Sequence, residues 1–84
     1  MTIENIDLVE YLKAITKGVE LKESSVISNV IVWYKCRELK LDRKMMDDIL
    51  CTLGLTIEDV VIDPNLNFTQ LKLTSKGVEL LREH

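Results

Sequence analysis

The strongest constraint on what this chain can fold into lies near its C-terminus, where strand alternation gives way to helical spacing within a few residues. Leu71, Lys72 and Leu73 alternate, whereas Thr74, Ser75, Lys76, Gly77, Val78, Glu79, Leu80 and Leu81 carry the spacing of a helix. Just upstream, Asp63, Pro64, Asn65, Leu66 and Asn67 form a turn-rich run. A strand from Ile57 to Ile62 therefore folds back onto a second from Phe68 to Leu73, and the hairpin feeds a short terminal helix. Thr56, three residues before Asp59, also suits the cap of a single helical turn.

Three further helical patterns precede the hairpin. Leu8, Tyr11, Leu12 and Ile15 fall on one stripe of a helix from about Ile6 to Lys17. Asn5 suits its N-cap, Asp7 and Glu10 its positive end, Lys13 and Lys17 its negative end, and Gly18 its left-handed stop. Val19 to Leu21 alternates briefly, as a short strand does. Ser24 or Ser25 then caps a second helix reaching Leu39, with Val26, Ile27, Val30, Trp33 and Tyr34 as its main apolar stripe. Val32, Cys36 and Leu39 make a second face, so this helix is either sandwiched inside the domain or offered to a partner. The β-branched run Val30 to Val32 also suits a buried strand. Asp42 caps a third helix, in which Met46, Ile49, Leu50 and Leu53 face the core before Gly54 ends it; Met45 flanks that stripe.

With 84 residues, 46% of them hydrophobic and 30% charged, the chain is expected to form a single domain stable by about 4 to 13 kcal/mol. The longest apolar run, Val30 to Tyr34, is far too short to cross a bilayer, and no secretion pattern is visible at the N-terminus. A cytoplasmic protein without membrane attachment is expected. Cys36 and Cys51 lack a C-x-x-C spacing, and the one histidine is His84, so no metal site is expected. Two reduced thiols are expected over a disulfide. Neither a nucleophile beside a base nor a phosphate-cradling glycine loop is legible, and Asp47 and Asp48 point about 100° apart on a helix. No catalytic residue and no cofactor is expected.

The order helix, short strand, helix, helix, strand, wing, strand, helix resembles the winged helix-turn-helix superfamily from about Ile6 onward. Leu41 through Leu55 is similar to a recognition helix with its terminal Gly-Leu. The pattern L-x-L-T-x-K-G-x-x-L-L over Leu71 to Leu81 resembles the last wing strand and following helix of small regulators and YjcQ-like proteins of Gram-positive bacteria and their phages. The resemblance implies one α+β winged-helix domain over residues 1–84: three helices, a two- or three-stranded antiparallel wing and a short C-terminal helix. It further implies duplex DNA as partner, with the third helix in the major groove and the wing tip on a phosphate or in the minor groove.

Charge divides along the chain. Lys35, Arg37, Lys40, Arg43 and Lys44 outnumber Glu38 and Asp42, giving residues 35–44 a net charge of +3 suited to phosphates. The same cations also suit the C-terminal dipole of the second helix. Between Met45 and Asp63 there are instead five acidic residues, Asp47, Asp48, Glu58, Asp59 and Asp63, and no basic one. The whole chain carries −3, and Asp63 to Asn67, the expected wing tip, has no Lys or Arg. Two functions are therefore expected in parallel. One is a transcriptional regulator binding duplex DNA through the five basic residues, as a dimer joined by Val32, Cys36 and Leu39. The other is a non-catalytic protein-interaction module, such as a phage or mobile-element factor, that meets a basic partner with the five acidic ones.

Overall fold

The hairpin foreseen near the C-terminus is the spine of the sheet. The protein is described from a computed structural model covering residues 7–65 and 67–84. Among these residues the chain runs α1 (Leu8–Ile15), β1 (Val26–Ile27), α2 (Asn29–Leu39), α3 (Arg43–Thr52), β2 (Thr56–Ile62), β3 (Asn67–Leu73) and α4 (Ser75–Glu83). The result is an α+β fold with an antiparallel three-stranded sheet in the order β1-β3-β2. No helix among the described residues is long and apolar enough to cross a membrane.

Side chains and backbone conformation set the boundaries. Asp7 caps α1 by accepting from the Glu10 amide at 3.1 Å, and Asn5 lies outside the described residues. The helix stops at Ile15, short of the expected Lys17, where the Thr16 hydroxyl donates back to the Leu12 carbonyl at 2.7 Å. Asp42 caps α3 through the Lys44 and Met45 amides, and Thr74 caps α4 through the Gly77 amide at 3.0 Å. The Thr74 hydroxyl also donates to the Gly54 carbonyl, which fixes the start of α4 to the end of α3. Gly77 is required by space: an added Cβ would overlap the Leu55 carbonyl oxygen. Thr56 opens β2 and is buried, so the one-turn helix considered there does not form.

The expected strand at Val19 to Leu21 is absent; Val26 and Ile27 supply β1 instead, pairing with Lys72 and Leu71 of β3. Ser24, at φ 71°, donates to the Leu73 carbonyl while the Leu73 amide donates to Ser25, so two residues face one as in a bulge. That bend detaches Val26 and Ile27 from α2, which begins three residues later than Ser25's candidacy as its cap implied, with Ser28 as N-cap.

The core draws Tyr11, Leu12 and Ile15 from α1, Ile27 from β1, Val32 and Cys36 from α2, Met46 and Leu50 from α3, Leu71 and Leu73 from β3, and Val78 and Leu81 from α4. On α2 this reverses the expected orientation. Val30, Trp33 and Tyr34 are exposed, and the smaller Val32 and Cys36 turn inward, with the Cys36 thiol 3.2 Å from the Tyr11 hydroxyl. Of the residues expected to join a dimer, Val32 and Cys36 are thus consumed by the core, and Leu39 alone is exposed. Burial, reinforced by the Cys36 contact, pushes the Tyr11 hydroxyl far above the phenol range. Both cysteines are free thiols.

Candidate functional site

The first turn of α3 and the near end of the hairpin enclose a cleft of about 530 Å3, lined by Arg43, Lys44, Asp47, Asp48, Glu58 and Thr69. It gathers two of the five basic residues singled out in the sequence and three of the five acidic ones. Lys35, Arg37 and Lys40 do not line it. Lys35 pairs with Glu38 at 3.3 Å on α2, and the Arg37 guanidinium stands 5.2 Å over the Trp33 ring. Trp33 in turn meets Tyr34 edge to face, with ring centroids 5.1 Å apart. Lys40 ends α2 in the left-handed conformation, at φ 56°.

Arg43 is committed inside the protein. Its Nε donates to Asp47 Oδ2 at 3.4 Å, one helical turn along α3, and a terminal nitrogen donates to Asn29 Oδ1 at the start of α2. The Asn29 amide then donates to the Thr69 carbonyl of β3 at 3.1 Å. The chain Asp47, Arg43, Asn29, Thr69 therefore ties α3, α2 and the sheet together. Asp47 is only 8% exposed, and its Oδ1 is buried without a hydrogen-bond partner among the described residues. Burial raises its pKa above the ordinary carboxylate value, and the Arg43 charge and hydrogen bond recover only part of that.

The other acids are dispersed by the pleat. Asp59 lies on the face of β2 opposite Glu58 and is held by Lys72 at 2.9 Å, while Asp63 accepts from the Asn65 amide within the turn. Asp48 and Glu58 are exposed, and among the described residues neither has an ion-pair partner. They also meet in a second groove of about 530 Å3 between α3 and the base of β2, with Cys51, Thr52, Thr56 and Ile57. The Cys51 thiol there lies 3.4 Å from the Thr56 hydroxyl.

Two contributors escaped the sequence. Asn29 carries no signal of its own, because its partners lie 14 and 40 residues away. The burial of Asp47 had a trace in its i, i+4 spacing to Arg43, the arrangement that lets a carboxylate meet a guanidinium on one helix face. In comparisons with known protein families, with curated proteins and with solved structures, the chain has no match.

Proposed function

We propose that this protein is a non-catalytic protein-interaction module on a winged-helix frame, with the cleft between α3 and the hairpin as its contact surface for a basic partner. The observation that carries this reading is the engagement of Arg43. In a DNA reader the first turn of α3 would extend its cations to bases and phosphates. Here Arg43 is turned back onto Asp47 and Asn29, and the cleft beside it carries Asp48 and Glu58, neither of them in an ion pair among the described residues. Carboxylates facing a duplex oppose the counterion release that drives DNA binding. The same carboxylates attract and orient a cationic protein surface.

Duplex DNA is the second reading, favoured by one observation. Lys40 and Lys44 are exposed beside the turn between α2 and α3, and in the order of elements resembling a winged helix that turn lies against the duplex. The two readings separate in one experiment. Fluorescence anisotropy at low salt is run with a labelled random duplex and, separately, with a labelled oligo-lysine peptide. The interaction module binds the peptide, loses it on Asp48→Lys with Glu58→Lys, and leaves the duplex unbound. Duplex binding that disappears on Lys44→Ala overturns this reading in favour of DNA.

A further inference from the structure

The hydrogen-bond phase of the hairpin leaves one edge of the sheet open. The Thr74 amide donates to the Leu55 carbonyl, and the register pairs Ile57 with Lys72, Asp59 with Gln70 and Val61 with Phe68. In an antiparallel ladder, bonded and non-bonded pairs alternate, so these three pairs bond across β2 and β3. The other side of β3 agrees: the Leu73 amide points to Ser25, and the Thr69 carbonyl is taken by Asn29. The backbone N–H and C=O groups of Glu58, Val60 and Ile62 therefore point away from the sheet, along the outer edge of β2.

Of the usual protections against an added strand, that edge carries only the charges of Glu58 and Asp59. β2 is seven residues long, contains no Pro, Lys or Arg, and keeps unbroken register with β3. Its outer end presents Val60 and Ile62, the latter 81% exposed. At its base stands the acidic groove with Glu58 and Asp48, and the neighbouring cleft holds Asp47, whose buried Oδ1 has no partner among the described residues. Charge selects the occupant. A second copy pairing β2 to β2 would bring another Glu58 and Asp59 to this edge, whereas the carboxylates of the groove, unpaired among the described residues, call for a cationic side chain.

We infer that the partner is an extended protein segment that adds as a strand to the outer edge of β2, with a Lys or Arg beside Glu58 and Asp48 and apolar residues beside Val60 and Ile62. This rests on the protein-interaction reading and gives it a binding mode. Main-chain hydrogen bonds provide the attachment, and the acidic groove selects the side chain.

The probe is the capped peptide Lys-Thr-Val-Thr-Val-Thr-Lys, whose symmetry places a lysine near Glu58 in either direction. Two further versions carry backbone N-methyl groups on alternate residues, one in each phase. Strand addition predicts that one methylated version binds like the parent and the other does not bind. It also predicts amide exchange at Glu58, Val60 and Ile62 slowed about tenfold by the parent peptide, the effect expected for gaining a hydrogen bond. Val60→Pro, which removes an outward N–H and spares the β3 ladder, weakens binding about tenfold while leaving the circular dichroism unchanged. Asp48→Asn with Glu58→Gln weakens it up to about fivefold, as for an exposed ion pair. Equal binding of both methylated versions overturns strand addition but leaves the interaction reading standing. If no version binds while the duplex of the preceding experiment does, both fall. A concentration-dependent dimer in sedimentation that Val60→Pro dissolves assigns the edge to a second copy and overturns the proposal.

Discussion

Arg43 and Asp47 carry the sharpest energetic statement in the molecule. Removing the guanidinium by Arg43→Ala strands a buried carboxylate, with an expected loss of about 1 to 3 kcal/mol at neutral pH in chemical denaturation. The sign of its pH dependence follows from the raised pKa of Asp47. A carboxyl whose folded pKa lies above its unfolded value contributes most stability when protonated, below about 3.8, and loses it as pH rises through the folded value. Without Arg43 the folded value rises further, so the deficit of the variant is largest near neutral pH and shrinks on acidification. A deficit independent of pH would show that Asp47 is not the group left unpaired. This pair also marks how far the sequence could be read at the scale of single residues. Both residues were singled out there, as members of opposing surfaces, and the fold joins them. Their spacing of four was visible, but the tie from Arg43 to Asn29 and on to Thr69 joins residues 14 and 40 positions apart, which no local pattern shows.

Elements with one unambiguous apolar stripe were the legible ones. The α3 helix, both hairpin strands and the passage from β3 into α4 follow from their spacing, and the Thr74 cap with Gly77 explains why that passage reads so clearly. Gly77→Ala tests this: the new Cβ meets backbone, which cannot rotate away, so the variant is expected to lose about 1 to 3 kcal/mol in urea unfolding. A neutral effect would mean that α4 can shift relative to Leu55 without cost. On α2 the sequence favours the face that the structure leaves exposed, and the reason is physical. The helix has two apolar faces, and the larger one is not the buried one: Cys36, in contact with Tyr11, and Val32 take the inward side. Spacing alone cannot rank two stripes when the choice is made by the volume left between neighbouring helices. Likewise β1 owes its existence to the exposed edge of β3 and the bend at Ser24, neither of which is local to Val26 and Ile27.

At the scale of the whole molecule, α4 closes the structure by packing on α1 and β3, and Arg82 at its end donates to the Leu21 carbonyl at 3.2 Å. Val78 and Leu81 are its buried anchors. Each contributes about 1.5 to 3 kcal/mol on burial, a large share of the roughly 4 to 13 kcal/mol expected for a chain of this size. Calorimetry of the double variant Val78→Ala, Leu81→Ala should therefore show a melting point lower by at least about 12 °C. A smaller change would indicate that the sheet and first three helices hold together without the closing helix. The outward turn of α2 has a separate consequence. Trp33 is the chain's one tryptophan, and its ring sits 48% exposed between Arg37 and Tyr34 rather than in the core. Its near-ultraviolet emission is consequently tuned by water and a neighbouring cation, so the protein's intrinsic light reports on what touches the back of α2 more than on whether the interior is intact.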